Sequence, residues 1–468
     1  MTEDKQKSEK RSIFEGVTFY HWLVVIIASF GWLFDCMDQR MFILAREPAL
    51  KELVYKEYVA KPPTIQPQTT VSEKQGETAI VSPEKHAANL VKKYGGWATT
   101  LMILGWATGG IIFGIMSDKW GRVKTMVATL LVYSSFTGLS GIAQNIEQFI
   151  IFRFLVGLGV GGMFGAATTL VAESVPGNFR SVALGSLQAL SATGNIMGSL
   201  ISLLIPPGMI NFWGNYAGWR VLFFVGIFPA LLCIPIVFML KEPDAWKQAK
   251  QAAAGGDENK RIGSPIELFK DKRWRRNSIV GLMLGLAGMI GLWGIAFFSP
   301  ELISEALKGA DQKTIDNVRG WGLAMQDAGS FLGMIAFTWA ASTLGRKTAF
   351  FISFLLCAGI VIFVFNFLQK PTDAYWMLPM MGFATLSVFA GYSIYFPELF
   401  PTRLRGTGVG FCYNTVRFLA APAPALFGYL STLIPFRTVA TIMSVIFLLG
   451  VVALIWAPET KGKPLPED

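Results

Sequence analysis

The sequence is short of charge. Only 15% of its 468 residues are Asp, Glu, Lys or Arg, whereas soluble proteins carry about 25%. The shortage comes from apolar stretches of about 20 residues, which as helices are long enough to cross a hydrocarbon layer of about 30 Å. This composition argues against a soluble enzyme, a nucleic-acid-binding protein and a disulfide scaffold. The net charge of +10 comes from basic residues between the apolar stretches, which indicates membrane topology rather than a nucleic-acid partner.

Histidine and cysteine are also scarce. The only histidines are His21 and His86, so neither a His-rich metal site nor a histidine proton relay is expected. The four cysteines lie within apolar stretches and show no C-x-x-C spacing, which predicts buried thiols. The sequence also lacks a recognisable combination of nucleophile, base and metal ligands. It therefore predicts no metal, no cofactor and no enzymatic activity.

Twelve apolar stretches are predicted to be transmembrane helices. They lack the period-two alternation of barrel strands, so helices are favoured. The first six are predicted at 22–44, 97–116, 126–143, 149–172, 181–205 and 220–240. The last six are predicted at 278–299, 321–341, 349–368, 376–397, 406–430 and 439–456.

The polar segments divide the chain into two groups of six spans. The predicted parts are an N-terminal tail (1–21), a first bundle (22–240) with a long loop (45–96), a linker (241–277), a second bundle (278–457) and a C-terminal tail (458–468). Lys and Arg are concentrated in the two tails, in the linker and in the short connections that lie on the same side of the membrane as these three segments. Both tails and the linker are therefore predicted to be cytoplasmic, and the loop external. The polar, proline-containing composition of the loop predicts a partly ordered external cap at most.

The two groups of spans repeat one another. The fourth span is followed by E-S-V-P-G-N-F-R and the tenth by E-L-F-P-T-R-L-R, so that Glu173 and Glu398 are 225 positions apart. In the same way Arg122 precedes Arg346 by 224 positions. A duplicated six-helix unit with a site between its copies is the architecture of a secondary transporter. The predicted fold class is an all-α membrane protein with twelve transmembrane helices in two six-helix bundles related by pseudo-two-fold symmetry.

Three motifs carry a resemblance to a known family. G-I-M-S-D-K-W-G-R-V-K (114–124) resembles the G-x-x-x-D-x-x-G-R-x-x signature of the major facilitator superfamily, and R-F-L-V-G-L-G-V-G-G (153–162) resembles its fourth-helix motif. P-E-T-K-G (458–462) is similar to the ending of its sugar-porter-like branches. The resemblance covers residues 22–462. It implies a monomeric multi-pass transporter of a small molecule, embedded in the lipid bilayer of a bacterial inner membrane and working by alternating access.

The resemblance also implies a cytoplasmic gate between the two bundles. Its predicted members are Gly114, Asp118, Gly121, Arg122, Glu173, Arg180, Arg346, Glu398, Arg405 and Glu459. These residues stand at the cytoplasmic ends of the spans. They are therefore predicted to be solvated surface charges whose pairs contribute at most ~1 kcal/mol each. Ser342 replaces the aspartate of the signature in the second half, so the gate is expected to be weaker there.

The motifs give two indications of substrate class. F-D-C-M-D-Q in the first span resembles the D-x-x-D of proton-coupled aromatic-acid, sialate and monocarboxylate symporters. Gln188 and Asn195 in the fifth span, together with P-E-T-K-G, are similar to sugar porters. The seventh span lacks the paired glutamines that sugar porters have there. We therefore favour an organic acid, and a sugar or other neutral solute is the alternative.

Ionisable residues inside the spans are candidates for the coupling of substrate and proton, because an unpaired charge in a membrane is costly. Asp35 and Asp38 are three residues apart and share a helix face, so one carboxylate is predicted to hold a proton. The alternative is a structural pair with Arg153 or Arg40. Asp327 is a second candidate for a proton site or a hydrated carboxylate.

Arg417 lies at the centre of the eleventh span and cannot lose its charge, so it is predicted to hold the substrate carboxylate opposite the aspartates. The alternative is a structural bridge. Arg153, near the external edge of the fourth span, is predicted either to contact substrate or to extend to the surface. The remaining candidate substrate contacts are Gln188, Asn195, Trp293, Phe297, Gln326, Tyr392, Tyr395 and Asn414. For the aromatic members, ordinary packing is the alternative.

Three functions remain open from the sequence. The first is a proton-coupled symporter of a small organic anion, whose partners would be the substrate and protons. The second is a carrier of a sugar or another neutral solute, which would leave Arg417 without an anionic partner. The third is a membrane sensor that has lost transport, but a sensor usually adds a soluble output domain and neither tail is long enough for one.

Overall fold

The computed structural model describes residues 13–60, 83–254, 263–310 and 312–467, and the helices below are those of these ranges. In the first half they are α1 (Phe19–Ala60), α2 (Pro83–Trp120), α3 (Arg122–Gly141), α4 (Ile146–Ser174), α5 (Gly177–Leu204), α6 (Gly218–Val225) and α7 (Cys233–Met239). The linker forms α8 (Asp244–Ala254) and α9 (Glu267–Lys270). The second half contains α10 (Lys272–Met289), α11 (Ser299–Ala306), α12 (Gln312–Thr343), α13 (Arg346–Phe367), α14 (Pro371–Glu398), α15 (Arg405–Ala420), α16 (Ala423–Leu433), α17 (Phe436–Met443) and α18 (Ile446–Ala453).

The predicted spans coincide with these helices, although four spans are divided. The sixth span comprises α6, a 3₁₀ segment (Phe228–Leu232) and α7. The seventh continues from α10 through a π-helix (Ile290–Ile295) and a second 3₁₀ segment (Ala296–Phe298) into α11. Proline stands at the start of several of these pieces, as at Pro229, where it removes a backbone donor and interrupts the helix.

The described helices fit a membrane protein. Eight of them, some joined across the breaks, are long and apolar enough to cross a membrane. The described ranges contain no strand that pairs into a sheet. The architecture is therefore all-α, and its helices have the lengths that a bilayer requires.

The first helix is longer than predicted. It does not end at Leu44 but continues to Ala60, and α2 begins at Pro83, well before the predicted start at residue 97. The reason is a buried stripe of Ala45, Ala49 and Leu53 at helical spacing, which the polar composition of this segment conceals. Residues 61–82 of the predicted external loop lie outside the described residues, as do 255–262 of the linker.

The outer part of α1 is tied to the first half. The Glu52 carboxylate lies 2.9 Å from the Arg220 guanidinium and accepts a hydrogen bond of 2.6 Å from the Trp219 indole. Arg220 in turn donates to the carbonyl oxygens of Gly141 and Ala143, where α3 ends. The helical extension is thus part of the first bundle.

The two halves meet chiefly along two pairs of helices, α2 with α15 and α5 with α12, and α14 also packs against α5. Glycines permit the first contact. A side chain on Gly114 would stand 2.7 Å from the carbonyl oxygen of Gly406, and one on Gly410 would stand 2.5 Å from that of Gly110. Small residues of this kind allow membrane helices to approach closely.

Candidate functional site

A charged network joins the halves at the end of the spans where residues 13–18 and 458–467 lie, which we call the terminus face. Arg122 forms a bidentate ion pair with Glu173, with both N···O distances at 3.0 Å. It also lies 3.0 Å from the Asp118 carboxylate. Another of its N–H groups donates to the carbonyl oxygen of Thr402, 2.7 Å away in the second half. Arg122 therefore binds both halves.

Asp118 makes the second connection between the halves. Its carboxylate accepts hydrogen bonds from the backbone N–H groups of Gly406 and Thr407, at 2.9 and 2.8 Å, and from the Thr407 hydroxyl at 2.6 Å. These groups form the N-terminus of α15, where a helix carries partial positive charge. Arg405, also in α15, donates to the Glu173 carboxylate of the first half. Glu173 is thus shared by an arginine from each half.

The second half repeats this arrangement in a weaker form. Arg346 forms a bidentate pair with Glu398, at 3.0 and 2.9 Å, and donates to the Ser181 hydroxyl of the first half at 2.5 Å. Arg180 donates to the carbonyl oxygen of Ala172. Ser342, the counterpart of Asp118, donates to a carbonyl of its own helix. The asymmetry follows the aspartate-to-serine difference between the two copies of the motif.

Two glutamates cap the helices that begin with these arginines. Glu242 accepts hydrogen bonds from the backbone N–H groups of Arg122 and the two residues after it, at 2.6 to 3.2 Å. Glu459 accepts in the same way from Arg346 and Lys347, both at 3.0 Å. Glycine at 121 and 345 adopts φ of 121° and 105°, and a side chain there would collide with the capping carboxylate.

Glu242 was not among the sequence candidates. It stands in K-E-P-D after the sixth span, whereas Glu459 stands in P-E-T-K after the twelfth, and the two are 217 positions apart rather than 224 or 225. A search of both span ends for a glutamate beside a proline would have found it.

The pKa of Glu459 is lower than that of an ordinary glutamate. Burial raises the pKa of Glu459, but hydrogen bonds from the N–H groups of Lys461, Arg346, Lys347 and Thr460 outweigh the effect of burial and hold the pKa below the ordinary value.

The burial of this network corrects one expectation. The gate charges were predicted to be solvated, but Asp118, Arg122, Arg405 and the side chain of Glu173 are completely buried. The reason is that the halves are in contact here, so that each charge lies between two bundles. Buried pairs are much more sensitive to the loss of one partner than exposed pairs are.

One ion pair joins the halves away from the terminus face. The Arg40 guanidinium of α1 lies 2.9 Å from the Asp327 carboxylate of α12, and the two side chains are 26% and 25% exposed. The other ion pairs that the described residues form on this side join residues of the first half to one another. Asp327 was predicted to be a proton site or a hydrated carboxylate, and the structure gives it a cationic partner. Arg40 is consequently not the partner of Asp35 or Asp38.

Asp35 and Asp38 are buried, and neither carboxylate forms an ion pair with the described residues. Both are at most 1% exposed, and none of their four carboxylate oxygens has a hydrogen-bond partner in the described part of the chain. The Tyr133 hydroxyl stands beside Asp35 and the Thr137 hydroxyl beside Asp38. Ionised carboxylates in such surroundings are strongly disfavoured, and protonated ones much less so. The site is therefore suited to hold a proton.

Arg153 is enclosed by the first half. Its guanidinium carbon lies 4.6 Å from the ring centre of Phe223 and 5.4 Å from that of Phe42, and it donates to the Ser140 hydroxyl. The positive charge of Arg153 is close enough to attract the Asp38 carboxylate. Arg153 neither extends to the surface nor lines the cavity beside Arg417, where a substrate contact was predicted. The tertiary packing of α3, α4 and α6 around it, which the sequence does not reveal, is the reason.

Arg417 borders a cavity of about 100 Å³ between the halves. The cavity is lined by Thr100, Ile103, Leu104, Trp106, Met289, Trp293, Arg417, Ala420, Ala421 and Pro424. Arg417 donates through Nη1 to the Tyr413 carbonyl and the Asn414 side chain, both at 2.8 Å. Its guanidinium lies 4.1 Å from the ring centre of Trp106 and 4.5 Å from that of Tyr413. It does not contact Asp35 or Asp38, contrary to the predicted arrangement across one cavity.

The other predicted substrate contacts fall into three groups. Trp293 lines the cavity, and Asn414 orients Arg417. Gln188 and Gln326 are buried with side-chain carbonyls that have no partner among the described residues, while Asn195 is half-buried. The side chain of Phe297 lies outside the described residues.

Tyr392 and Tyr395 are packing residues. Both are at most 1% exposed, and their hydroxyls donate to the carbonyl oxygens of Leu284 and Pro458 at 2.7 and 2.6 Å. Neither lines the cavity beside Arg417. This result agrees with the packing alternative for aromatic residues and disagrees with the predicted substrate contact.

Except for Trp293, the aromatic residues around Arg417 were not among the sequence candidates. Trp32 of α1 lies 6.3 Å from Trp106 and 4.9 Å from Phe164, measured between ring centres. Phe164 stacks at 4.0 Å on Tyr413 of the second half. Aromatic residues are common in membrane helices, so the sequence alone does not show which of them surround Arg417. The one available indication is that Trp32 stands three residues before Asp35 and so shares its helix face.

Comparison with known proteins shows the family to which the chain belongs. The family model of the major facilitator superfamily matches residues 78–423. The chain belongs to the major facilitator superfamily. It is accordingly an integral multi-pass membrane transporter and not an enzyme, which confirms the expectation drawn from the motifs.

This superfamily chain is similar to several transporters of known substrate. It is 31% identical to the cis,cis-muconate transport protein of Acinetobacter baylyi, over 74% of the chain and 80% of that protein. It is 29% identical to a sialic acid transporter of Escherichia coli, over 69% of the chain and 74% of that protein. The solved structure of the proton:xylose symporter XylE covers 95% of the chain and 98% of XylE with a TM-score of 0.72 at 17% identity. The last similarity concerns the fold alone and confirms the twelve-helix architecture.

Proposed function

We propose that this transporter is a proton-coupled symporter of a small organic anion in a bacterial inner membrane, with the terminus face toward the cytoplasm. The observation that carries the proposal is Arg417, a buried cation that borders a cavity between the halves. The relatives that transport muconate and sialate support an anionic substrate. The excess of Lys and Arg on the terminus face supports the orientation.

Arg417 is prepared to bind a carboxylate. Its guanidinium lies over the rings of Trp106 and Tyr413, which limit its movement. The hydrogen bonds described for it use Nη1 alone, which leaves the Nε and Nη2 side of the fork for a carboxylate. A planar fork and a carboxylate form two parallel hydrogen bonds, which neutral solutes do not reproduce with an arginine.

Asp35 and Asp38 carry the proton. In the described state they are enclosed and unpartnered, which favours the protonated form of the pair. The arginine whose charge acts on Asp38 is Arg153. We propose that a change in the packing of α1 hydrates the pair, releases the proton and leaves the remaining carboxylate to Arg153. Proton and substrate are then coupled through the movement of α1 rather than by direct competition for Arg417.

The closed terminus face supports alternating access. The buried network closes the cytoplasmic side, while Arg40 and Asp327 remain partly exposed on the other. Transport requires the buried network to separate and re-form. Such a cycle requires the two closed states to be of similar free energy.

Uptake into liposomes tests this function. Purified transporter is reconstituted and supplied with muconate, gentisate, nicotinate, sialate or xylose, with and without an inward-directed proton gradient. We expect accumulation of at least one anion that requires the gradient, and loss of its binding in Arg417→Lys because the fork is lost. Arg437→Lys is the matched control, because Arg437 caps helix carbonyls away from the cavity. Accumulation of xylose without any anion would contradict the proposal.

A further inference from the structure

Arg180 lacks the anionic partner that its counterpart has. Arg180 and Arg405 are 225 positions apart in the repeat, and each donates through Nε to the backbone carbonyl eight residues before it. Arg405 also donates to the Glu173 carboxylate. The terminal Nη1 and Nη2 groups of Arg180 form no ion pair or hydrogen bond within the described part of the chain, although the residue is only 8% exposed. A mostly buried guanidinium is therefore left without a bound anion.

The carboxylates of this copy of the gate are engaged elsewhere or missing. Glu398 forms its bidentate pair with Arg346 and accepts a hydrogen bond of 2.6 Å from the Thr460 hydroxyl. The charge of Glu398 reaches Arg180 without a hydrogen bond. Ser342 stands where the first copy of the motif has an aspartate, so this copy has one carboxylate fewer.

A cavity of about 620 Å³ lies beside Arg180 at the terminus face. Four cationic side chains and one carboxylate line it, namely those of Arg180, Arg346, Lys461, Lys463 and Glu15. Lys461, Lys463 and Glu15 are exposed, so the cavity is reached from the solvent. Its volume is within the roughly 300–1,000 Å³ of ordinary ligand pockets. The excess of cations predicts an anionic ligand.

We propose that this cavity binds a small phosphate monoester. A phosphate of this kind carries a charge of about −1.5 to −2 near pH 7 and three strong acceptor oxygens. It forms parallel hydrogen bonds with the fork of an arginine. Arg180 supplies that fork, and the ammonium groups of Lys461 and Lys463 balance the remaining charge. The cavity also has room for the organic body of the ester.

The ligand is expected to hold the terminus face closed. The first half contributes Arg180 and Ser181 to the lining, and the second half contributes Ser342 and Arg346. Opening of the face separates these residues and divides the site, so the ester binds the closed state and slows opening. This regulatory role rests on the proposed function, which places the terminus face toward the cytoplasm, whereas the binding site does not.

Calorimetric titration of the full-length purified transporter with glycerol 2-phosphate tests the site, with glycerol as the uncharged control. We expect Arg180→Gln to weaken binding at least about tenfold, because the fork is lost. Ser342→Asp is expected to weaken binding at least as much, because the introduced carboxylate repels the phosphate. Arg275→Gln, which removes an exposed arginine outside the lining, is the matched control. If Arg180→Gln does not fold, Ser342→Asp and Lys461→Gln decide.

The modification rate of Ser117→Cys tests the effect on the gate. The Ser117 side chain is buried against Gly406 of the other half, so a cysteine there reacts when the face opens. At about ten times its dissociation constant, the ester should lower the rate about tenfold, because it binds the closed face alone. The transporter without this cysteine gives the background rate. An unchanged rate with the ester bound would overturn the effect on the gate.

Two outcomes of the titration overturn the site itself. One is binding of the ester no tighter than that of glycerol, and the other is equal affinity in the wild type, Arg180→Gln and Ser342→Asp. Complete displacement of the ester by phosphatidylglycerol in nanodiscs assigns the phosphate to a lipid headgroup and overturns the soluble ligand. The transported substrate is absent from each of these experiments, so the proposed function stands or fails separately in the uptake assay.

Discussion

The two sides of the transporter hold its halves together in different ways. At the terminus face, Arg122 and Arg405 from opposite halves share the buried carboxylate of Glu173. On the other side, Arg40 and Asp327 form one pair whose side chains are about a quarter exposed. Removing a partner from a buried pair costs about 3–5 kcal/mol, whereas an exposed pair contributes about 0–1 kcal/mol. The comparison indicates that the terminus face holds the described state closed and that the other side contributes little.

The largest effect is expected from Glu173→Gln. The change leaves two buried arginines without their shared carboxylate, so we expect the closed terminus face to lose about 3–5 kcal/mol relative to the open one. The rate of modification of Ser117→Cys, whose side chain is buried against Gly406 of the other half, is measured in the intact transporter. This rate reports the opening and should rise more than a hundredfold. Glu147→Gln, at an exposed position in α4, is the control. An unchanged rate would show that the network does not hold the face closed.

Asp118→Asn is expected to have the next largest effect. The amide oxygen of asparagine can accept some of the hydrogen bonds that Gly406 and Thr407 donate to the carboxylate. The negative charge at the N-terminus of α15 is nevertheless lost. We expect a loss of about 1–3 kcal/mol in the closed state, slower transport and unchanged substrate affinity. Ser342→Ala is the control because it alters the counterpart that bonds only its own helix carbonyl. Loss of substrate binding in a folded Asp118→Asn transporter would contradict the assignment to a gate.

Arg40→Gln is expected to have a smaller effect, on the side opposite the terminus face. Because the pair with Asp327 is partly exposed, we expect the accessibility of the cavity from that side to rise no more than about fivefold. Exchange of the two charges, Arg40→Asp with Asp327→Arg, should restore the original accessibility. An increase as large as that of Glu173→Gln would mean that both sides hold the halves equally.

The smallest effect is expected from titration of Glu459. Its pKa is held below the ordinary value of about 4.5 in the folded protein, so its contribution is fully present above that value and is lost as the pH falls through the lowered pKa. The thermal stability of the transporter should therefore decline below about pH 4.5. We expect Glu459→Gln to flatten this part of the pH profile. An identical decline in the variant would assign it to other groups.

The spans and the repeat could be predicted from the sequence because they are local properties of the chain. Both depend on local composition and on spacing along the chain, such as the 225 positions between Glu173 and Glu398. The burial of Glu173 was missed because it depends on contact between halves that are far apart in sequence. The length of α1 was missed because Ala45, Ala49 and Leu53 form a stripe within an otherwise polar segment.

The candidate site was predicted less completely. Arg417 is recognisable because a cation in the middle of a span requires an explanation. The surroundings of Arg153 and the aspartates depend on which helix face points into the first bundle, and apolar spans carry little polarity to indicate this. Trp106 gives no signal of its own because its role comes from the position of Arg417 above its ring.

Gradient-driven uptake in Asp35→Asn and Asp38→Asn tests whether these two residues carry the coupled proton. Each variant is reconstituted and measured twice: for exchange of labelled substrate at equal pH, and for accumulation driven by an inward proton gradient. We expect exchange to continue in both variants because Arg417 and the cavity are untouched. We expect accumulation to be lost in at least one of them because the proton no longer binds. Accumulation against the substrate gradient in both variants at the wild-type level would contradict proton coupling through Asp35 and Asp38.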